Sequence, residues 1–414
     1  MNMQQQYLAA ADSIGKHLQR ECISFNNRSN WQGAVVDSVN GQFQVVTRTF
    51  DASLYNGLAG VALFLAELHR QKPDPILFQT LESTVNNIQH MLGHPHQLST
   101  FSVHAGQLGI AYAMWRIGQV VNRPDWKEQG LNLLQHIHTL PIPDDELDVI
   151  SGAAGAIPVL LKIYQVEDDD RWLSTAVRLA DFLISKAEKT ETAMCWITPG
   201  NEKGLTGYSH GSAGFGLALI ELGVLIQKQE YLQSGLMAFN YEREHFSAQH
   251  QNWPDLRSFN QTPQYNHMWC HGAPGVALSR LRAYQLLQEP SLFQEALVGL
   301  NSTHQQLMQE LTTQPDLMNF CLCHGGAGNA EILLMGADMV QRPDFAQLAH
   351  QVAAFGIHKY QLTDTAWPSG VHDPTGTSES GRETPGLMLG LAGTGLFYLR
   401  LADPQNVETV LHIR

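Results

Sequence analysis

Residues Phe320–Met335 read FCLCHGGAGNAEILLM. Two glycines three positions apart, Gly325 and Gly328, are followed at once by an apolar run. Two cysteines and a histidine stand directly before them. The same Gly-x-x-Gly core with an apolar run behind it recurs along the chain. It appears as LYNGLAGVALFLAEL from Leu54, SVHAGQLGIAYAMWRI from Ser102, DVISGAAGAIPVLLKI from Asp148 and GYSHGSAGFGLALIEL from Gly207. It returns as MWCHGAPGVALSRL from Met268 and PGLMLGLAGTGLFYLRL from Pro385. The pairs start at Gly57, Gly106, Gly152, Gly211, Gly272, Gly325 and Gly390. Their spacing runs from 46 residues (Gly106 to Gly152) to 65 (Gly325 to Gly390). A chain of 414 residues suggests two or three domains by length alone, but a sevenfold repeat overrides that prior.

Between the copies lie segments of a second kind, such as Asp169–Ala187 (DDRWLSTAVRLADFLISKA) and Arg342–Tyr360 (RPDFAQLAHQVAAFGIHKY). Their apolar residues fall at i, i+3, i+4 and i+7, the pattern of a half-buried helix. Several open on Pro or Asp, as helix starts do. The runs after the glycine pairs are apolar nearly all round and predict fully buried helices. Buried and half-buried helices in alternation predict an all-α fold of two concentric rings, seven helices inside and seven outside. Seven pairs can close the ring, so no apolar end needs a cap. Residues 1–414 then form a single domain, with an outer helix and lead-in segment over 1–53 and the seven repeats over 54–414. The glycines permit a tight turn and close backbone approach. Every inner helix starts at one end of the ring, so residues just before each glycine pair line one rim.

Net charge is −14 and no Lys/Arg cluster appears, which argues against nucleic acid or an anionic membrane as partner. No apolar run is long enough to span a bilayer. The N-terminal sequence MNMQQQYLAAADSIGKHL predicts an amphipathic helix rather than a signal peptide. Five cysteines, an odd count without a secretory segment, predict reduced thiols in the cytoplasm, available as metal ligands or nucleophiles.

The rim positions are not equivalent. Titratable groups gather in copies three to six: Asp148, His210, Cys270 with His271, and Cys323 with His324. Cys270 and Cys323 each stand directly before a His-Gly pair and approach one another on a closed ring. Two thiolates and an imidazole make a zinc set, and three protein ligands leave a fourth position for a substrate. The spacing leaves His271, or Cys321 in place of His324, open as a ligand. Cys22, Cys195 and Cys321 read as small buried apolar groups. His210 is a candidate general acid or base. Asp148 is either a helix N-cap or the group that orients His210. His104, His267 and His372 are expected at the surface or beside the site.

These motifs, W-C-H-G, C-H-G and G-Y-S-H-G on seven Gly-x-x-Gly helices, resemble the lanthionine synthetase C family of lanthipeptide cyclases over nearly the whole chain. The C-terminal ETPGLMLGLAGTGLFYLRLADP and the NWQGAVVD…SLYNGLAG stretch look most like the cyclase half of class II synthetases. The resemblance implies an α,α-toroid and zinc held by Cys270, Cys323 and His324, with His210 and Asp148 as the catalytic pair. It implies Michael addition of a peptide cysteine thiolate to dehydroalanine or dehydrobutyrine in a dehydrated precursor peptide. The dehydratase half is not among these residues: either this is a stand-alone cyclase-like protein, with a separate dehydratase as the expected partner, or the other half lies on another chain or outside this sequence. Some members carry an arginine four residues before the first zinc cysteine; here that position is Asn266. His271 follows Cys270 where other members have tyrosine. Two other readings compete: a toroidal scaffold for a precursor peptide, and addition of glutathione to other dehydro-peptides. Toroidal glycosidases and sugar epimerases need carboxylate pairs or Arg-His sets, and this rim offers thiols.

Overall fold

The computed structural model describes residues 2–39, 42–93, 98–258, 262–372 and 383–414. Each Gly-x-x-Gly opens a helix, and its first glycine is the N-cap. Fourteen α-helices lie among the described residues. In chain order they are α1 (Met3–Glu21), α2 (Leu58–Gln71), α3 (Pro75–Leu92), α4 (Gln107–Val120), α5 (Pro124–His138), α6 (Ala153–Glu167) and α7 (Asp170–Lys186). They continue as α8 (Ser212–Leu225), α9 (Gln229–His245), α10 (Ala273–Leu287), α11 (Pro290–Thr313), α12 (Gly326–Ala337), α13 (Pro343–Gly356) and α14 (Leu391–Ala402). The even-numbered helices form the inner ring. Each packs on an odd-numbered outer helix: α2 on α3, α4 on α5, α6 on α7, α8 on α9, α10 on α11, α12 on α13, and α14 on α1. The contacts of α14 with α2 and α12 close the circle.

Burial follows the two sequence patterns. In α8 every residue from Ser212 to Gly223 is buried, because inner helices are covered on all sides. In α7 only Trp172, Thr175, Ala176, Leu179, Ala180 and Leu183 are buried, one stripe at helical spacing. The second glycine of each pair has a steric reason. A Cβ at Gly109 would lie 1.5 Å from the Val103 carbonyl oxygen, and one at Gly328 would lie 1.9 Å from that of Leu322. The chain turns so tightly before each inner helix that its own backbone fills the Cβ position.

The seven turns are bonded to one another around the rim. Tyr55, His104, Ile150, Ser209, Cys270, Cys323 and Met388 each lie two residues before a first glycine. Met388 N–H donates to Tyr55 O (2.7 Å), Tyr55 N–H to His104 O (2.8 Å), and His104 N–H to Ile150 O (3.4 Å). Val149 N–H donates to Ser209 O (3.0 Å), Ser209 N–H to Cys270 O (3.2 Å), and Cys323 N–H to Met388 O (3.0 Å). Among the described residues no such backbone bond joins Cys270 to Cys323. The ring of backbone bonds has its seam where the two cysteines face each other.

Other elements depart from a purely helical reading. Three antiparallel ribbons lie at the periphery: β1 (Ile23–Phe25) with β2 (Arg28–Asn30), β3 (Gln32–Val39) with β4 (Gln42–Thr49), and β5 (Glu188–Lys189) with β6 (Met194–Cys195). The segment after α14 enters the ring from the end opposite the rim and buries Val407, Val410, Leu411, His412 and Ile413. There Trp269 Nε1 donates to Leu411 O (2.9 Å), and the Tyr208 hydroxyl meets His412 Nδ1 (2.7 Å).

Candidate functional site

At the seam, the ligand atoms of Cys270, Cys323 and His324 lie within 4.8 Å of one another. Among the described residues this is the group of donors that could hold a metal ion. His324 Nε2 donates to the carbonyl of Gly370 at 2.7 Å. A carbonyl only accepts, so this bond places the ring proton on Nε2 and leaves Nδ1 as the lone-pair donor. A Cβ at Gly370 would lie 2.5 Å from Cys321 Sγ and 2.7 Å from His324 Nε2, so this loop meets the site backbone-first. Cys321 is buried, and its sulfur accepts the backbone N–H of His324 (3.3 Å), which braces the turn. Cys321 is not part of the Cys270, Cys323 and His324 donor group. Cys22 and Cys195 are half-buried and far in sequence from this cluster, and all five cysteines are free.

The two buried thiols are unequal. The hydrogen bond with Cys323 holds Cys270 well below the usual thiol range. The same bond, with burial, holds Cys323 well above it. Tyr55, the copy-one residue at the equivalent rim position, hydrogen-bonds the Cys323 sulfur through its phenol. Tyr55 carries no metal-ligand signal in the sequence, although it sits in the register that yields both cysteines.

The second cluster adjoins the first. His210 Nδ1 lies 2.7 Å from Asp148 Oδ2. Asp148 Oδ1 accepts from Ser151 N–H at 2.6 Å, while the N-cap of α6 is Gly152. Asp148 thus serves the turn and His210 together and does not cap the helix. Burial pulls the His210 imidazole down, but the Asp148 carboxylate more than offsets it, and its pKa ends above the ordinary value. Ser209 donates both its N–H and its hydroxyl to Cys270 O, each at 3.2 Å, which locks the His210 turn to the cysteine turn.

His271 stacks on His210 with ring centroids 5.5 Å apart. It is 1% exposed, neither ring nitrogen has a hydrogen-bond partner among the described residues, and burial depresses its pKa to about 4. It is not in the donor group. Asn266 lies nearby and donates through Nδ2 to Asp255 Oδ2 (3.2 Å). Of the three remaining histidines, His104 is buried edge-on to Tyr55 and Trp269. His267 meets the Ser302 hydroxyl (2.9 Å), and His372 is exposed against the His324 ring.

The fold is a closed double ring of helices whose rim carries a thiol–thiol–imidazole donor group beside a carboxylate–imidazole pair. Residues 49–412 match the family described as Lanthionine synthetase C-like protein, and the chain belongs to that family. It is 24% identical over 308 residues to the lacticin 481/lactococcin biosynthesis protein LcnDR2 of Lactococcus lactis subsp. lactis. That match covers 70% of this chain but 30% of the relative, so the chain spans under a third of that protein's length. It is 22% identical over 377 residues to glutathione S-transferase LANCL1 of Danio rerio, covering 86% of this chain and 84% of the relative. The solved structure of nisin cyclase superposes with a TM-score of 0.65 at 19% identity, over 86% of this chain and 90% of that one, and shares the toroidal fold. No helix among the described residues is long and apolar enough to cross a membrane.

Proposed function

We propose that this chain is a zinc-dependent lanthionine and methyllanthionine cyclase acting on a dehydrated precursor peptide. One observation carries the reading: an Asp148-oriented imidazole is locked, through Ser209, to the turn bearing one of three convergent soft donors. The donors suit zinc, which takes thiolate and imidazole ligands in tetrahedral sets with ligand–ligand separations of about 3.3–3.8 Å. Cys270, Cys323 and His324 would hold it and leave one position open. When bound, zinc supplies a substrate thiolate at neutral pH.

The chain's own residues account for the rest. The cysteine thiolate of the substrate adds to the β-carbon of the dehydro residue. A C–S bond forms, the C=C π pair moves onto the carbonyl as an enolate, and the α-carbon then takes a proton. His210, charged and held by Asp148, gives that proton and regains one from solvent. The rim holds both reacting groups of one peptide, which makes the addition intramolecular. We place the whole of 1–414 in this one activity, in the reducing cytoplasm that five free thiols suit. The dehydro residues must come from a dehydrating activity that acts on the precursor before it reaches this site.

A second reading keeps the site and changes the thiol. The match along most of a relative named glutathione S-transferase supports glutathione as the nucleophile toward a dehydro-peptide. An intact donor group speaks against a scaffold without chemistry.

Metal analysis of the wild type beside Cys270→Ala and Cys323→Ala tests the proposal. About one zinc per chain, lost in both variants together with cyclisation, is the expected result. Cyclisation leaves mass unchanged, so thiol alkylation of a synthetic dehydroalanine–cysteine peptide reads it, and added glutathione tests the second reading. Wild type that binds no zinc and leaves every thiol alkylatable overturns both.

A further inference from the structure

A third group stands at the same mouth. Asp255 is 1% exposed, and Arg257 grips its carboxylate bidentately: Nε lies 2.9 and 3.0 Å from the two oxygens and one terminal nitrogen 2.5 Å from Oδ2. Asn266 Nδ2 reaches the same Oδ2, and Oδ1 lies 4.0 Å from His271 Nδ1. His271 in turn stacks on His210. Asp255 and His210 therefore flank one buried ring, and Arg257 stands behind Asp255. The Arg257 side chain is 30% exposed although the carboxylate it grips is buried, so the pair reaches from the interior to solvent. Its charge acts on Cys270, Cys323 and His210.

We propose that Arg257 holds the carbonyl oxygen of the dehydro residue as it becomes an enolate; this rests on the cyclase reading above. The addition step moves an electron pair onto that oxygen, and the pair returns to the α-carbon when the proton arrives. A cation fixed beforehand where charge develops lowers that barrier without reorganising at the moment of reaction. The two-point bond to Asp255 supplies the fixing, because it sets the plane of the guanidinium. It also accounts for Asn266. A long cationic side chain at position 266 would compete with Arg257 for the same carboxylate, whereas the short amide of Asn266 supports the pair.

The test uses zinc-loaded protein and a synthetic peptide with one dehydroalanine and one cysteine. Arg257→Ala should lower kcat by about 10²–10³-fold, with KM changed by no more than a few-fold. Zinc content should stay at the wild-type value, the unfolding midpoint should fall because the buried Asp255 carboxylate loses its cation while the protein remains folded at assay temperature, and Arg257→Lys should recover part of kcat. Arg257→Gln keeps a hydrogen bond to Asp255 without the charge, and it decides the matter if the alanine variant does not fold. An active wild type with unchanged kcat in Arg257→Gln, or a kcat loss that follows loss of zinc or of fold, overturns this role and leaves the cyclase reading standing. A wild type inert toward the peptide overturns the cyclase reading, and the role of Arg257 falls with it.

Discussion

The two ends of the inner ring handle their polar groups in opposite ways. At the end away from the rim, buried carboxylates are matched to cations. Glu221 has Arg282 at 2.6 Å and His412 at 3.1 Å, Glu67 has Arg116 at 2.9 Å, and Glu331 has Arg400 at 2.7 Å. Burial alone would raise the Glu221 carboxyl, yet His412 and Arg282 bring it down to about 2. The cavity there, about 270 Å³ and bordered by Arg282, Glu408, His412 and Arg414, is lined by groups already occupied with each other. At the rim, two buried thiols share a proton, and the buried His271 imidazole makes no hydrogen bond among the described residues. Charge pairing holds the far end together, although one oxygen each of Glu221 and Glu331 makes no hydrogen bond among the described residues. Unsaturated donors cost stability and are kept where a ligand completes them. That contrast, more than cavity size, places the chemistry at the rim.

Substitutions should separate the two ends. The largest effect is expected at the rim. His210→Ala should keep zinc and lower kcat by about 10²–10⁴-fold on the dehydroalanine–cysteine peptide, a loss far larger than the fraction unfolded at assay temperature can explain. A variant that cyclises at the wild-type rate removes His210 from the proton step. At the other end the effect should be on stability. Glu221→Ala strands His412 and Arg282 and should cost about 3–5 kcal/mol in urea unfolding, with zinc content intact. The contrast breaks if Glu221→Ala abolishes zinc binding in protein that is still folded. That route exists, because His412 also bonds Tyr208, two residues before His210.

The ring was legible because its determinants are local. A steric clash six residues upstream writes a glycine into every copy, and helical periodicity writes the two layers. The rim register was legible too. His210, His271 and His324 all stand one residue before a first glycine. Their different roles were not legible, because each is set by what faces it across the ring. His210 meets Asp148 in the preceding copy, His324 meets Gly370 in a long loop, and His271 meets another imidazole. Residues remote in sequence supply these partners, and no local pattern encodes the pairing. Arg257 escaped for the same reason. The β3–β4 ribbon escaped although Asn40-Gly41 between alternating apolar residues is a hairpin signal in the sequence.

The smallest effect lies between the two ends, at His104. It shares the rim register of the two cysteines but faces inward, edge-on to Trp269, with Nδ1 buried and unpaired. Burial depresses its pKa to about 4, although Asp148 pulls it back up in part. The unfolded chain takes up this proton near 6.5 and the folded chain only near 4. Between those values the unfolded state binds more protons, so stability rises with pH. The contribution of neutral His104 is complete above about 6.5 and is lost as pH falls toward 4. At pH 4.5 the loss from this residue should be roughly 2–3 kcal/mol relative to pH 7. His104→Phe retains the ring and removes the titration. Urea unfolding of wild type and variant at both pH values gives the difference directly. A variant as acid-sensitive as the wild type would mean that His104 is solvated when protonated, and that the rim is open to water below the cysteines as well as above them.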